Sequence, residues 1–185
     1  MMHDRYLAAP TFAESVAAAQ KNQELWQAVY RLARIPDEMA ARVAELPGRW
    51  HLLVLSEDWC GDAVNTVPVV AKLAEAAPNV DLRVLPRDAN PDLMDAHLTN
   101  GTRSIPVVMV LDDDFAEHGW WGPRPGALQQ WFLTDGRALP KEQRYPLLRQ
   151  WYARDRGVTT LEEIVALLER AAGVAVRAGE RASAD

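Results

Sequence analysis

The alternation of apolar and polar positions predicts three strands in the middle of the chain. Residues 50–55 form a short, continuous apolar run, which is typical of a strand buried on both faces. A second strand, residues 80–85, alternates apolar with polar positions, and a third, residues 106–111, is again apolar. Because helical segments separate these strands, we expect them to pair in parallel. The acidic turn that follows predicts a hairpin to a fourth strand, residues 115–121.

Helical patterns surround these strands. A capping box at Thr11 and Glu14 predicts one helix over residues 12–33, and a shorter helix follows over residues 38–46. Further helices are predicted over residues 60–76, 91–100, 125–132, 141–154 and 161–172. The last residues, 174–185, are small and polar, so we expect them to fray.

We expect a single α/β domain over residues 1–185, built from three parts. A helical extension covers residues 1–47, a strand-containing core covers residues 48–135, and C-terminal helices cover residues 136–185. The length suits one domain, and a composition of 49% apolar residues is enough for a sizeable core. No internal repeat or low-complexity linker interrupts the sequence.

Net charge and hydropathy argue against two classes of binding partner, nucleic acids and membranes. The chain carries 20 basic and 26 acidic residues, a net charge of −6, which argues against a nucleic-acid partner. No apolar stretch approaches the roughly 18–20 residues of a membrane span, so no membrane partner is expected. The first residues lack the cationic and apolar regions of a signal peptide, which predicts a cytoplasmic location.

The single cysteine, Cys60, lies where the first apolar strand ends and a helix begins. One cysteine cannot close a disulfide or form a Cys-rich metal site within one chain. The first turn of a helix stabilises a thiolate through its unpaired N–H groups and its dipole, and so lowers the pKa of the thiol. Trp59 would shield the thiol, and Gly61 would let a partner backbone approach. The position predicts a nucleophilic thiol, with an inert relic as the alternative.

Three sequence features resemble the thioredoxin superfamily, in particular its thioredoxin-like bacterial proteins. Trp59-Cys60-Gly61 follows a buried strand, as does the Trp-Cys-Gly-x-Cys motif of that family. Pro68 matches the proline that kinks the family's active-site helix, and Ser104-Ile105-Pro106 resembles its Ile-Pro step before a strand. The resemblance covers residues 48–135. It implies a central mixed sheet of about four strands flanked by helices, with Pro106 in a cis peptide bond that faces the cysteine.

The sequence departs from the family's pattern at the residues that carry its chemistry. The resolving cysteine is replaced by Ala63, so a mixed disulfide at Cys60 could not be resolved within the chain. The buried acid that assists proton transfer in the family falls on Val54. Asp62 places a carboxylate beside the thiol, which opposes thiolate formation. Two further carboxylates nearby, Glu57 and Asp58, are expected to add negative charge.

The resemblance implies thiol–disulfide exchange through Cys60 alone. The expected partner is a protein or small-molecule disulfide, and a low-molecular-weight thiol would resolve the mixed disulfide; no other cofactor is expected. The residues expected to shape the substrate groove are Trp59, Gly61, Asp62, Ala63, Ile105 and Pro106.

Two other functions stay open from the sequence. One is a redox-inactive module whose groove binds an extended peptide by strand addition. The other is a shared iron–sulfur cluster, as in monothiol glutaredoxins, because Cys60-Gly61 matches the start of their motif although Asp62-Ala63 does not match its continuation.

Arginines in the C-terminal third of the chain could bind a ligand, but solvated surface positions are the favoured interpretation. Arg124 could bind a carboxylate of a small thiol, but a solvated arginine at a helix start is favoured. A later stretch combines arginines with aromatic residues, a mixture that can bind nucleic acid. We expect instead one solvated helix face with the aromatic residues on the other. The residues of this stretch are Arg144, Tyr145, Arg149, Trp151, Tyr152, Arg154 and Arg156.

Overall fold

A four-stranded mixed sheet with the strand order β2-β1-β3-β4 lies at the centre of the protein. The computed structural model describes residues 1–174, which contain nine α-helices. The strands are β1 (Trp50–Ser56), β2 (Val80–Pro86), β3 (Val107–Leu111) and β4 (Glu117–Trp121). The helices are α1 (Met2–Ala8), α2 (Phe12–Ala18), α3 (Gln23–Leu32), α4 (Asp37–Ala44), α5 (Gly61–Ala76), α6 (Pro91–Ala96), α7 (Gly126–Thr134), α8 (Lys141–Asp155) and α9 (Val158–Ala171), with a 3-10 turn at Gly136–Ala138.

Strand β1 forms the middle of the hydrophobic core. All seven of its residues are buried, as its continuous apolar run predicts. It pairs in parallel with β2 and antiparallel with β3. Helix α5 packs against β2 and α3, while α9 packs against β3 and β4. The expected mixed sheet flanked by helices is confirmed.

The third strand corrects the expectation that the first three strands pair in parallel. Leu55 of β1 pairs with Val107 of β3, so β3 starts beside the carboxyl end of β1. The connection from β2 to β3 contains the six-residue helix α6 and brings β3 in antiparallel to β1. This reversal carries the residues before β3 to the end of the sheet where α5 begins.

The first 33 residues contain three helices, α1 to α3, where the sequence predicted one over residues 12–33. Helix α1 was missed, and the predicted helix is divided into α2 and α3. The capping box is present, because the Thr11 amide donates to Glu14 Oε2 at 2.8 Å. The break follows from Asp58, whose carboxylate accepts the amides of Gln20 and Lys21 at 2.7 and 3.0 Å. The sequence of residues 12–33 does not reveal this distant acceptor.

Two other predicted segments differ in extent. Helix α6 ends at Ala96 instead of residue 100, and β4 begins at Glu117 because Phe115 adopts a positive φ of 61° in the preceding turn. The hairpin of β3 and β4 is present. The residues expected to fray lie outside the described residues, apart from Val174. None of the helices in residues 1–174 is both long and apolar enough to cross a membrane.

His97 anchors the loop that leads from α6 to β3. Its side chain is almost fully buried, with Nδ1 2.6 Å from the Leu93 carbonyl oxygen and Nε2 2.9 Å from Glu117 Oε1 on β4. Both ring nitrogens therefore face acceptors, which favours the imidazolium. The hydrogen bond to Glu117 raises the pKa of His97 above its usual value.

The His97–Glu117 contact predicts a pH-dependent loss of stability. A raised pKa in the folded state means that the contribution is complete below the unfolded-state pKa of about 6.5. It declines as pH rises through the raised pKa of folded His97. We expect Glu117→Gln to lower the free energy of unfolding most at pH 6 and least at pH 9, as measured by urea unfolding. An equal effect at both pH values would contradict the charged pairing.

Candidate functional site

The thiol of Cys60 lies at the junction of β1, α5 and the loop before β3. After β1, the Cys60 amide donates to the Glu57 carbonyl at 3.1 Å, and this turn places Cys60 at the N-cap of α5. The Sγ–H group donates to the Ile105 carbonyl at 3.4 Å, and Sγ accepts the Ala63 amide at 3.5 Å. Cys60 is 8% exposed. The sulfur is thus buried between the helix terminus and the loop that carries Pro106.

Burial changes the expected acidity of the thiol. It raises the pKa of Cys60 above its usual value, and the negative charge of Asp62 raises it further. The amides of Ala63 and Asp62, together with the Arg124 guanidinium, act in the opposite direction. The lowering expected from the helix terminus is therefore present but is outweighed by desolvation.

Asp62 forms a buried cluster with two residues from distant elements. Its Oδ2 lies 2.6 Å from an Arg124 guanidinium nitrogen, and its Oδ1 accepts the Tyr152 hydroxyl at 2.8 Å. Burial raises the pKa of the Asp62 carboxyl, and both partners oppose the rise. Burial also raises the pKa of Tyr152, which keeps its hydroxyl protonated as a donor. The simple interpretation of Arg124 as a solvated helix-start residue is wrong, since its side chain is only 13% exposed.

Glu57 and Asp58, the two further carboxylates expected near the thiol, bind backbone amides instead. Asp58 caps the break between α2 and α3, as described above. Glu57 Oε1 accepts the Asp88 amide at 2.9 Å. These contacts fix the loops that enclose the end of β1. Val54 and Ala63, where the resemblance would place an acid and a second thiol, are completely buried.

The loop before β3 approaches the thiol through a cis Ile105–Pro106 peptide bond. Ile105 is 5% exposed and supplies the carbonyl that accepts from Sγ. Gly122, with φ of 135°, lies against this loop: a Cβ at that position would collide with the Pro106 carbonyl oxygen. Glycine at this position is thus required for the close approach of β4's end to Pro106.

A cavity of about 500 Å³ lies beside the thiol. Five of the seven predicted site residues contribute to its lining, whereas Ala63 and Pro106 do not. Those five are Trp59, Cys60, Gly61, Asp62 and Ile105. Trp59 is 44% exposed at the rim, and the Arg87 guanidinium lies 5.1 Å from its ring centroid. These five sequence-predicted residues therefore share one concave site.

Sequence reasoning missed the part of this cavity that α8 contributes. Arg144, Leu148, Arg149 and Tyr152 all line it. The last three follow Arg144 by four, five and eight positions, a spacing that places all four on one face of a helix. This spacing is the sequence signal from which they could have been predicted. The expected division of this stretch into a solvated basic face and an aromatic face is wrong at Arg144 and Tyr152. Within residues 1–174, no group of three His, Cys, Asp or Glu side chains could hold a metal ion.

The mixed sheet, the N-cap cysteine and the adjacent Ile105–Pro106 loop define a protein of the thioredoxin-like fold class. Residues 9–142 match a family model described as Thioredoxin, and the chain belongs to the thioredoxin family. The match crosses both expected boundaries, after residues 47 and 135, and the proposed three-part division stays a prediction.

Individual relatives agree with this assignment. A Streptomyces coelicolor protein described as thioredoxin 2 is 35% identical over 78 residues, which are 42% of this chain and 53% of that protein. The chain thus spans about half the length of this curated relative. A crystal structure of a Pseudomonas aeruginosa protein of unknown function has a TM-score of 0.72 at 23% identity, covering 90% of this chain and 95% of that one. An HIV epitope-scaffold has a TM-score of 0.69 at 19% identity, covering 91% and 97% respectively. The two structures show the fold alone.

Proposed function

We propose that this protein performs thiol–disulfide exchange through Cys60 alone. The Cys60 thiolate attacks one sulfur of a protein or small-molecule disulfide, a mixed disulfide forms, and the other half leaves as a thiolate. A low-molecular-weight thiol then attacks the mixed disulfide and releases Cys60. The observation that carries the proposal is the position of Sγ, in the wall of an open cavity and between the Ile105 carbonyl and the Ala63 amide.

The surroundings of the thiol suit an extended partner chain. A Cβ added at Gly61 would meet open space, so a backbone can approach this side of the sulfur. The exposed Trp59 ring offers a flat contact surface at the rim. Ile105 and Pro106 would present backbone groups to the substrate, and Asp62 would form part of the groove wall. We place the exchange in the cytoplasm, where a reducing thiol pool supplies the resolving molecule.

The proposal predicts that Cys60→Ser abolishes the exchange. The wild-type protein, incubated with a small disulfide, should gain the mass of one half-disulfide and lose it again when a small thiol is added. Mass spectrometry measures both steps. The serine variant should show neither step while retaining the wild-type circular dichroism spectrum and melting temperature. A wild-type chain that stays unmodified by every disulfide tested, while folded, would disprove the exchange.

The burial of the thiol favours one other function, a redox-inactive module that binds peptides. A cysteine that is 8% exposed, with a pKa raised by desolvation, would contribute shape without reacting. The Cys60→Ser variant separates the two functions. If the serine variant loses disulfide transfer but still binds peptide, exchange is one activity of a site that also binds peptides. If the wild-type protein binds peptide while its thiol does not react with disulfides, the protein is a binding module.

A further inference from the structure

An excess of positive charge lines the cavity beside Cys60. Among the described residues that form its wall, Asp62 is the one carboxylate, and there are five arginines. These arginines are Arg87, Arg103, Arg124, Arg144 and Arg149. The chain as a whole has a net charge of −6. The cavity therefore has the opposite sign to the protein that surrounds it, and its walls attract anions.

Two of the five arginines have no carboxylate partner within residues 1–174. The other three are paired: Arg87 with Asp88, Arg103 with Asp95, and Arg124 with Asp62. Arg144 donates through Nη1 to the Gly136 carbonyl at 3.5 Å, and its buried Nε has no hydrogen-bond partner. Arg149 lines the same wall without a hydrogen bond or ion pair to a described side chain. Both charges are thus available to a ligand.

One aromatic ring stacks on two of the guanidinium groups in the cavity wall. Phe132 lies under two of them, with its ring centroid 4.0 Å from Arg124 and 5.3 Å from Arg144. Such stacking fixes the plane of a guanidinium and leaves its N–H edge free for a planar anion. Helix α8 also contacts the start of α5 beside the thiol, because the Tyr152 hydroxyl donates a hydrogen bond to Asp62. Arg144, Arg149 and Cys60 therefore line the same cavity.

We infer that this cavity selects a small thiol, or its disulfide, that carries carboxylate groups. The inference rests on the exchange proposed above and names the class of its small-molecule partner. The Cys60 thiolate attacks one sulfur of the carboxylate-bearing disulfide, and the S–S electron pair leaves with the other half as a thiolate. The carboxylates of the retained half pair with Arg144 and Arg149, whose N–H forks match a carboxylate. A second small thiol, after losing its proton to water, attacks the mixed disulfide and expels the Cys60 thiolate.

The test compares an anionic with a neutral disulfide on the same thiol. The probes are 5,5′-dithiobis(2-nitrobenzoate), which carries two carboxylates, and 2,2′-dithiodipyridine, which carries none. We expect the double variant Arg144→Gln/Arg149→Gln to react with the anionic probe about tenfold more slowly, and with the neutral probe at the wild-type rate. Arg154→Gln, on α8 but outside the cavity wall, is the matched control and should change neither rate.

A second measurement keeps the inference independent of the thiol's reactivity. In the Cys60→Ser background, calorimetric titration with 5,5′-dithiobis(2-nitrobenzoate) measures non-covalent binding, which the arginine double variant should weaken about tenfold. Equal effects on both probes, or on neither, would overturn the inference and leave the exchange intact. A wild-type thiol that reacts with neither probe would overturn the exchange. In that case the titration tests whether the cavity binds anions. If the binding does not depend on Arg144 and Arg149, the inferred anion site is overturned as well.

Discussion

Replacing Glu169 with glutamine is expected to lower the free energy of unfolding by about 3 kcal/mol. Glu169 on α9 forms a two-pronged ion pair with Arg42 on α4, with Nε–Oε1 and Nη2–Oε2 distances of 2.9 Å each. The side chains are only 8% and 2% exposed. Glutamine keeps the size of the side chain and one acceptor oxygen, but it removes the carboxylate charge that pairs with the buried Arg42 guanidinium. Breaking one side of such a pair is costly because the remaining charge stays desolvated.

Urea unfolding measures this effect, and the chain contains a matched control. Arg103 and Asp95 form a pair of the same two-pronged geometry, at 2.6 and 2.7 Å, but with both side chains more than half exposed. Asp95→Asn should cost less than about 1 kcal/mol, because water already screens that pair. Similar losses for Glu169→Gln and Asp95→Asn would contradict the role of burial. If Glu169→Gln does not fold, replacing Arg42 and Glu169 together with methionine should restore folding, since both charges of the buried pair are then removed.

Contacts between distant segments also explain why part of the fold escaped sequence analysis. Local patterns were enough to locate β1, β2 and α5, because continuous or alternating apolar residues depend on burial of the segment itself. The direction of β3 and the break between α2 and α3 depend on other segments. The first depends on the pairing of β3 with β1, and the second follows from the Asp58 carboxylate. A prediction made segment by segment has no access to either cause.

The candidate site divides in the same way. Cys60, Trp59 and Ile105 were found because a strand–helix junction and an Ile-Pro step are written in neighbouring residues. The direction in which the pKa of Cys60 is shifted was harder to predict. The helix terminus is local and acts as expected, whereas the desolvation that outweighs it comes from the packed fold around the sulfur. Tyr152 lies 90 positions from Asp62, so their hydrogen bond has no local signature.

The Asp62 cluster leads to the second large expected effect, an increase in thiol reactivity on Asp62→Asn. The Asp62 charge raises the pKa of Cys60, and the Arg124 charge lowers it. Asparagine removes the negative charge of Asp62. The positive charge of Arg124 then acts on the thiol without a paired carboxylate to oppose it. The pKa of Cys60 should therefore fall. Each unit of this fall increases the thiolate fraction about tenfold at a pH below the pKa, and so speeds the reaction of the thiol with an alkylating reagent.

Alkylation by iodoacetamide as a function of pH measures this shift. The reagent is neutral, so the charge of the cavity does not affect its access. At pH 7 we expect Asp62→Asn to react about tenfold faster than wild type, and the two rates should converge at a pH above both thiol pKa values. Arg124→Gln should move the midpoint in the opposite direction, because it removes the positive charge and keeps the carboxylate. Tyr152→Phe removes a hydroxyl but no charge, so its midpoint should stay closer to that of wild type than either of the others.

The opposite signs separate an electrostatic effect from a loss of packing. A variant that merely loosens the site would expose the thiol, and both Asp62→Asn and Arg124→Gln would then react faster at every pH. A change that is confined to the pH midpoint, with opposite directions for the two variants, requires the charges themselves to act on the sulfur. If Asp62→Asn reacts at the wild-type rate while still folded, the Asp62 charge does not act on the pKa of Cys60, and desolvation is what raises it. The helix terminus and Arg124 would then be the remaining sources of its reactivity.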